Sequence, residues 1–251
     1  MSLSLLILGG TSEGYALAAA LDSAPGLRVI SSLAGRTATP RRPAGACRIG
    51  GFGGIDGLGA YLATERIDAV IDATHPFAST MGWNAAAACD KAGVPLLRLE
   101  RPAWVAGDYD RWAEVDDWQE AAGILDYAAN RVLLALGRQD LDAFTPLRHL
   151  WFLIRSVDAP DPLPPFAHAE VLLARGPFSL DSERALLGAQ AIDTIVCKNS
   201  GGTATDAKLT AARELGLRVI MRRRPKRPPL PTAATPDEAV TWVERLRGQA
   251  R

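Results

Sequence analysis

The stretch Leu3-Ser4-Leu5-Leu6-Ile7-Leu8-Gly9-Gly10-Thr11-Ser12-Glu13-Gly14 decides the fold of this chain of 251 residues. An apolar run breaks into a glycine-rich turn, and a helical pattern follows at once. Such a turn collects main-chain amides and the positive end of a helix dipole at one point, which suits a phosphate group. Gly9 and Gly14 match the first and last glycines of the dinucleotide fingerprint G-x-G-x-x-G, although Thr11 occupies the middle position. The stretch therefore predicts an α/β fold that opens with a nucleotide site.

Short apolar runs alternate with alanine-rich helical stretches along nearly the whole chain, which is typical of βαβ units. The predicted strands are 3–8, 27–33, 46–49, 69–73, 94–99, 132–136, 151–155, 171–174, 194–198 and 217–222. The predicted helices are 14–23, 57–65, 80–92, 116–129, 179–189, 203–215 and 236–247. These strands are too many for one small sheet. We therefore predict two Rossmann-like domains with mainly parallel sheets and an inter-domain cleft, namely a nucleotide-binding domain 1–100 and a second domain 101–251 that contributes to a substrate cleft.

Composition excludes some function classes and favours others. Basic and acidic side chains balance at 28 each, so no net charge draws the chain to nucleic acid or to an anionic membrane. No apolar stretch approaches the roughly 20 residues that cross a bilayer, and the N-terminus lacks a secretory signal. We therefore expect a cytoplasmic protein with no nucleic-acid and no membrane partner. The three cysteines lack the spacing of a zinc or redox motif, so we expect no metal.

The segment after the second predicted strand indicates which dinucleotide binds. NAD sites usually place an acidic residue there, whereas NADP sites supply basic and hydroxyl groups to the extra phosphate. The segment reads Ser31-Ser32-Leu33-Ala34-Gly35-Arg36-Thr37 and contains no acid. This favours NADP, with Arg36 as the phosphate partner and Ser32 or Thr37 assisting. The alternative for Arg36 is an ordinary solvated loop position.

A second candidate segment, Asp72-Ala73-Thr74-His75-Pro76-Phe77-Ala78, follows the fourth predicted strand. Ligands of open parallel sheets gather beyond the carboxyl ends of the strands near the topological switch point, so this segment should border the nicotinamide. Pro76 keeps the preceding residues out of a helix. His75 is the candidate catalytic residue, and a structural hydrogen-bonding histidine is the alternative.

A second glycine turn, Lys198-Asn199-Ser200-Gly201-Gly202-Thr203, also follows an apolar strand and precedes a predicted helix. It is either an anion nest, closing over the cofactor's phosphates or a substrate carboxylate, or only a tight turn. The lysine and the two hydroxyl side chains beside the glycines favour the nest.

Several separated motifs together resemble the precorrin-6A reductase family of cobalamin biosynthesis. Eight such motifs occur in the family's order from Leu6 to about Pro225. They are Leu8–Gly14, Ser32–Arg36, Arg48–Gly54, Asp72–Ala78, Arg98–Pro102, Gly137-Arg138, Ala174–Phe178 and Lys198–Gly202. Thr11 in the middle glycine position belongs to the family pattern.

The resemblance implies an NADPH-dependent oxidoreductase, in which NADPH binds at the first glycine turn. A large polycarboxylate tetrapyrrole would lie between the domains, and hydride transfer to one double bond of precorrin-6A would give precorrin-6B. Hand-over of the small-molecule tetrapyrrole to neighbouring pathway enzymes is compatible with this role. The substrate's carboxylates require cationic donors, and the proton could come from His75, another acid or water.

The candidate residues fall into two further groups. The cofactor-binding candidates are Gly9, Gly10, Thr11, Ser12, Glu13, Ser32, Gly35, Arg36, Thr37, Thr74, Lys198, Ser200, Gly201 and Gly202. The substrate-binding candidates are Arg101, Arg138, Arg155 and Arg175.

Two other functions share the opening glycine turn. A short-chain dehydrogenase or epimerase would need Tyr-x-x-x-Lys, which none of the four tyrosines begins. A non-catalytic NADP-sensing module is compatible with the first domain, but it has no evident need for the second glycine turn or the arginines. A reductase therefore accounts for more of the sequence.

Overall fold

The computed structural model describes residues 3–35 and 41–249. The chain divides into two compact units, residues 1–102 together with 225–251, and residues 103–224. Each unit contains one six-stranded sheet. Within the described ranges, no helix combines the length and the apolar character that a bilayer crossing requires.

The helices and strands alternate along the chain as βαβ units require. The strands are β1 (Leu3–Leu8), β2 (Leu27–Leu33), β3 (Ala46–Ile49), β4 (Ala69–Asp72), β5 (Leu96–Leu99), β6 (Arg111–Val115), β7 (Arg131–Ala135), β8 (Trp151–Ser156), β9 (Ala169–Leu173), β10 (Thr194–Lys198), β11 (Arg218–Arg222) and β12 (Thr232–Ala233). The helices are α1 (Ser12–Leu21), α2 (Gly54–Thr64), α3 (Ser79–Ala92), α4 (Trp118–Ala128), α5 (Leu180–Ala189), α6 (Ala207–Glu214) and α7 (Pro236–Gln249).

Both sheets are doubly wound. Their strand orders are β12-β5-β4-β1-β2-β3 and β6-β11-β10-β7-β8-β9, and every pairing between described strands is parallel. In the first sheet the chain moves outward from β1 to β3 and then returns to the other side of β1 with β4. The second sheet reverses in the same way between β7 and β10. The predicted α/β class and the two parallel sheets are confirmed.

The core of each unit lies on both faces of its sheet, as alternating side chains require. In β1, Leu5 and Ile7 pack on the side of α1 and α7, whereas Leu6 and Leu8 pack on the side of α2 and α3. All four side chains are at most 2% exposed. Each contributes on the order of 1.5–3 kcal/mol by leaving water, so β1 is fixed firmly from both sides.

Every predicted strand and helix is present, four strands with the predicted ends and the other elements with shifted ends, but two strands were missed. β6 and β12 are the outermost strands on one side of each sheet. In β6 all side chains but that of Val115 retain exposure, and β12 has only two residues after a proline-rich stretch. Short, half-exposed edge strands lack the continuous apolar runs that mark central parallel strands.

The C-terminal segment differs from its predicted place. Residues 225–251 belong to the first unit, whereas the sequence interpretation assigned them to a second domain 101–251. The reason is that β12 pairs with β5, and that Val243 of α7 packs in the cluster that contains Leu5 and Ile7 of β1. These partners lie far away in sequence, so the local pattern did not reveal them.

Candidate functional site

The switch point of the first sheet lies between β1 and β4. Leu8 pairs with Asp72 at the carboxyl ends of these strands, and the Ala73 amide donates to the Leu8 carbonyl at 2.9 Å. Ligands of doubly wound sheets bind in the crevice that opens at such a point. The glycine turn and the segment Thr74–Ala78, both singled out from the sequence, therefore follow the two strands that form it.

The glycine turn presents bare backbone. Its Gly9 amide donates to the Ser32 carbonyl at 2.9 Å, which ties the turn to the end of β2. Gly10 is exposed, with φ of 119°, and a Cβ built on it would meet nothing within 4 Å. A side chain there would be strained and would extend into the open space where a ligand could approach the main chain. This open cradle fits a pyrophosphate.

Thr11 explains the departure from the glycine fingerprint. It is the N-cap of α1, and its hydroxyl accepts from the Gly14 amide at 3.2 Å and donates to the Ala73 carbonyl at 2.8 Å. The hydroxyl thus ties the helix start to the end of β4. Gly14 allows this close approach, because a Cβ there would lie 3.3 Å from the Ala73 Cβ. Helix α1 is therefore held directly against the switch point.

The N-terminus of α1 supplies the donors of the site. The first amides of a helix have no intrahelical acceptor, so the Ser12 and Glu13 amides can point to an anion. The Glu13 carboxylate is paired with the Arg101 guanidinium at 2.6 Å, which offsets its negative charge beside a phosphate site. Arg101 was predicted to bind substrate, and the structure places its guanidinium on this carboxylate.

The end of β2 carries the predicted site for the extra phosphate of NADP. Ser32 is 6% exposed, and Gly35 is exposed with φ of 72°. Arg36 and Thr37 lie outside the described residues. The structure therefore places Ser32 and Gly35 at the carboxyl end of β2, where the Ser32 carbonyl accepts from the Gly9 amide.

Arg48 is a residue of this region that the sequence reasoning missed as a candidate. It pairs with Ser32 in the register of β2 and β3, and its Nη1 donates to the Ser32 hydroxyl at 2.7 Å. The guanidinium also lies 3.9 Å above the Phe52 ring and donates to the carbonyls of Gly50 and Gly51. A cation thus stands beside the predicted phosphate site. The strand order β1-β2-β3 would have revealed it, because neighbouring strands place residues of matching register side by side.

The segment after β4 is organised by hydrogen bonds. The Asp72 carboxylate accepts from the Thr74 amide at 3.1 Å and from the Thr74 hydroxyl at 2.6 Å. His75 Nδ1 accepts from the Phe77 amide at 3.2 Å. Because an acceptor nitrogen carries no proton, the neutral ring has its proton on Nε2. His75 is half-buried, and this tautomer can donate a hydrogen bond from Nε2.

The second sheet has its own switch point, between β7 and β10. Ala135 pairs with Cys197 at the carboxyl ends of these strands. Lys198 follows Cys197, and its ammonium lies 2.7 Å from the Asp140 carboxylate in the loop after β7. Within the described residues this loop leads into a short 3₁₀ turn, Asp142–Phe144, and not into an α-helix. The edge therefore presents charged side chains rather than a helix N-terminus.

The second glycine turn has the predicted backbone, but the helix predicted from residue 203 begins later. Gly201 and Gly202 have φ of 67° and 72°, while α6 begins only at Ala207. The residues between form bends, so the turn does not lead directly into helical amides as expected. One of its carbonyls accepts from Trp104, whose indole Nε1 donates to the Gly202 carbonyl at 2.8 Å.

Asn199 braces this turn. Its side-chain oxygen accepts from the Trp104 amide at 2.9 Å, and its side-chain nitrogen donates to the Trp104 carbonyl at 2.9 Å. Arg224 Nε donates to the Asn199 carbonyl at 3.0 Å, and its Nη2 donates to the Ser200 carbonyl at 3.3 Å. The turn is therefore fixed in place by residues that come from both ends of the second unit.

The predicted substrate-binding arginines of the second unit differ in position. Arg138 and Arg175 are exposed, on the loops after β7 and β9. Arg155 is 7% exposed, and its Nη1 is paired with Glu183 at 2.5 Å. Its guanidinium also lies 4.3 Å from the centre of the Phe178 ring. Arg155 is therefore buried beneath α5, to which Glu183 belongs, and is not exposed as Arg138 and Arg175 are.

Comparisons with known proteins agree with this arrangement. A family model described as precorrin-6x reductase CbiJ/CobK matches residues 4–244. The chain is 50% identical over 246 residues to a precorrin-6A reductase of Rhodococcus erythropolis, covering 96% of this chain and 98% of the relative. It is 30% identical over 234 residues to a cobalt-precorrin-6A reductase of Priestia megaterium, covering 88% and 91%.

A solved structure shows the same fold. The protein described as CobK precorrin-6A reductase superposes with a TM-score of 0.91 at 42% sequence identity. The match covers 97% of this chain and 96% of that one. Both doubly wound units of the present chain are therefore represented in a solved relative.

Proposed function

The chain belongs to the precorrin-6x reductase family, and on this premise we propose that it uses NADPH to reduce precorrin-6A in cobalamin biosynthesis. The family membership makes the chain an oxidoreductase. The single observation that best supports the choice of cofactor is the glycine turn at the switch point of the first sheet, with α1 held against it by Thr11. NADPH, when bound, supplies the hydride for the double bond of the macrocycle.

We assign the phosphate-binding work to the first unit. The exposed main chain at Gly10 and the first amides of α1 hold the pyrophosphate. Ser32, Arg36 and Thr37 hold the phosphate on the adenosine ribose, and Arg48 keeps the Ser32 hydroxyl in place. A guanidinium can give two parallel hydrogen bonds to that phosphate, which NADH lacks. The proposal therefore includes a preference for NADPH.

The segment after β4 carries the chemistry in this proposal. Thr74 and His75 border the nicotinamide, because they follow the strand at the switch point. The Nε2–H of His75 donates a hydrogen bond beside the ring. The carbon next to the one that receives the hydride takes its proton from water or another acid that this hydrogen bond holds in place, and that donor is left as its conjugate base. One new C–H bond forms from the hydride and one from the proton, and the double bond is lost.

We assign the substrate's carboxylates to cations of the second unit. Lys198, Arg138 and Arg175 lie at the ends of β10, β7 and β9 or on the loops that follow them. Charged hydrogen bonds from such side chains suit the acetate and propionate type of carboxylate on a tetrapyrrole. Lys198 keeps a counter-ion in Asp140, and a substrate carboxylate exchanges for it.

The relatives support a cobalt-free substrate. The relative named as a precorrin-6A reductase is 50% identical, whereas the relative named for the cobalt-containing substrate is 30% identical. We therefore propose precorrin-6A itself as the natural substrate. A cytoplasmic location and hand-over of the tetrapyrrole to neighbouring enzymes stay predictions of the sequence analysis.

One experiment tests the whole proposal. The protein is mixed with NADPH and precorrin-6A, and the absorbance of the reduced nicotinamide is followed, with NADH and cobalt-precorrin-6A in parallel reactions. We expect one NADPH to be oxidised for each precorrin-6A consumed, with slower reactions for both alternatives. Bound NADPH without oxidation would indicate the non-catalytic sensor instead. A short-chain dehydrogenase is not favoured, because its Tyr-x-x-x-Lys pair is missing.

A further inference from the structure

Arg227 lies in the proline-rich segment 225–231 between β11 and β12. It belongs to the first unit, and its side chain is 6% exposed. Although 155 residues separate them, its Nη2 donates to the Asp72 carboxylate at 2.5 Å. A cation from the end of the chain thus reaches the carboxyl end of β4, where the segment Thr74–Ala78 begins.

The guanidinium contacts this segment at several points. Its Nη1 lies 3.2 Å from the His75 carbonyl and 3.2 Å from the Pro76 carbonyl, and it donates to both. Its Nη2 also lies 3.5 Å from the Thr74 hydroxyl. One rigid fork therefore holds three successive residues, and the planar geometry of arginine fixes their relative positions better than an ammonium would.

The Asp72 carboxylate links this fork to the strand. It is fully buried, and a buried charge needs partners for both oxygens. One oxygen accepts from Arg227, while the other accepts from the Thr74 amide and hydroxyl. Thr74 is therefore set by the same carboxylate that holds the guanidinium.

The Arg227 side chain occupies space that Gly82 of α3 leaves open. A Cβ built on Gly82 in α3 would lie 2.6 Å from Arg227 Nε and 2.7 Å from Nη2. The segment that carries Arg227 is tied down by Arg98, whose Nη2 donates to the Pro228 carbonyl at 2.6 Å. The guanidinium thus packs against α3, and Arg98 holds the main chain next to Arg227 in place.

We propose that Arg227 is a positioning residue that holds Thr74 and His75 in the position in which they contact the nicotinamide. The inference rests on the proposed function, since it takes the segment after β4 to border the reacting ring. Arg227 affects turnover through the position of this loop, whereas the phosphates of the cofactor bind at the glycine turn. A displacement of about 1 Å at reacting groups costs on the order of a hundredfold in rate, so the loop's position matters more for turnover than for affinity.

The test uses the whole protein and three variants. Arg227→Lys keeps the charge but loses the fork, and Gly82→Ala pushes the guanidinium aside without altering Arg227. Gly59→Ala is the matched control, because a Cβ on this glycine of α2 would meet nothing within 4 Å. Three quantities are measured: amide hydrogen exchange of residues 73–78 without cofactor, the dissociation constant of adenosine 2′,5′-bisphosphate, and kcat.

We expect Arg227→Lys and Gly82→Ala to speed exchange of this segment about tenfold and to lower kcat about ten- to a hundredfold. The dissociation constant for the adenosine half should stay within about twofold, because that half binds at the glycine turn. Gly59→Ala should behave as the unchanged protein in all three measurements. This division between kcat and affinity is what a general loss of structure would not produce.

A chemical rescue gives an independent readout. Arg227→Ala leaves a gap in the shape of the missing group, so millimolar guanidinium chloride should restore part of kcat, whereas sodium chloride should not. The double variant Gly82→Ala with Arg227→Ala should not be rescued, because the added methyl group fills the gap. The inference is overturned if Gly82→Ala and Arg227→Lys keep both kcat and the exchange rates of an active parent protein. A parent protein that fails to oxidise NADPH overturns the proposed function instead.

Discussion

Five of the six strands in each unit follow the same order, with the edge strands β12 and β6 as the exception, but the central strands of the two units lead into different connections. At the switch point of the first sheet, β1 leads through Gly9 and Gly10 directly into α1. At the corresponding point of the second sheet, β7 leads into a charged loop that contains Asp140, the partner of Lys198. Strand order thus sets the point along the sheet at which a ligand binds. The connection that follows the strand decides whether main-chain amides or charged side chains receive it.

The largest effect should come from filling the open space beside the Gly10 main chain of the first unit. Gly10→Ala places a methyl group in the open space at a residue with φ of 119°. We expect NADPH and NADH both to bind at least about a hundredfold more weakly, because the pyrophosphate is common to them and the strained backbone costs about 1–3 kcal/mol more. Titration calorimetry measures both affinities.

Gly123→Ala is the control for this change. It lies in α4 of the second unit, and a Cβ there would meet nothing within 4 Å. Its affinity for NADPH should match that of the parent protein. Equal affinities for the Gly10→Ala variant and the parent would show that the pyrophosphate lies elsewhere, and the contrast between the two switch points would lose its basis.

The next effect should be selective for one cofactor. Arg36→Glu reverses the charge that we assign to the phosphate on the adenosine ribose. We expect NADPH to bind about thirtyfold more weakly, since a charged hydrogen bond is lost and a repulsion is added. NADH should change by less than about threefold, because it has no such phosphate. Equal losses for the two cofactors, measured by fluorescence titration, would refute this role.

A smaller effect should appear at the second unit. Lys198→Met removes the ammonium at the end of β10 but keeps most of the unbranched side chain. We expect KM for precorrin-6A to rise about tenfold, from the loss of one charged hydrogen bond, with the dissociation constant of NADPH unchanged. Steady-state kinetics and calorimetry separate the two quantities. A loss of NADPH affinity in this variant would assign the turn at Lys198 to the cofactor's phosphates.

The smallest effect should follow from a glycine at position 11, where the common fingerprint G-x-G-x-x-G has its middle glycine. Thr11→Gly loses the cap on Gly14 and the bond to the Ala73 carbonyl. We expect about 1 kcal/mol of lost stability and a fall in Tm of about 2–4 °C, with NADPH affinity within about threefold. A thermal melt checks the first value and a titration the second. A large loss of affinity with an unchanged Tm would mean that the hydroxyl contacts the cofactor itself.

Local patterns were enough to predict the central strands and the first glycine turn. The apolar run Leu5–Leu8 is buried on both faces of the sheet, and such runs carry a strong signal. The place of Ser32 and of the segment after β4 followed from general rules of strand order. The same reasoning missed β6, because an edge strand with partly exposed side chains has no such run.

The sequence reasoning missed or misplaced side chains whose partners lie on other strands or helices. Arg155 was predicted to bind substrate, but it is 7% exposed and pairs with Glu183 of α5. Arg48 and Arg227 were missed for the same reason, since their partners Ser32 and Asp72 come from other strands. Charge and spacing along the chain indicate that a cation is present. Only the assembled sheet shows which oxygen it meets.

The split of the first unit between the two ends of the chain affects how the protein is made. During synthesis on the ribosome, residues 103–224 emerge as one continuous piece, so the second unit can fold while the chain is still growing. The first unit must wait for β12 at Thr232–Ala233 to complete its sheet, and Arg227 leaves the ribosome only shortly before. The first unit, although its glycine turn is translated first, is thus the last to be finished.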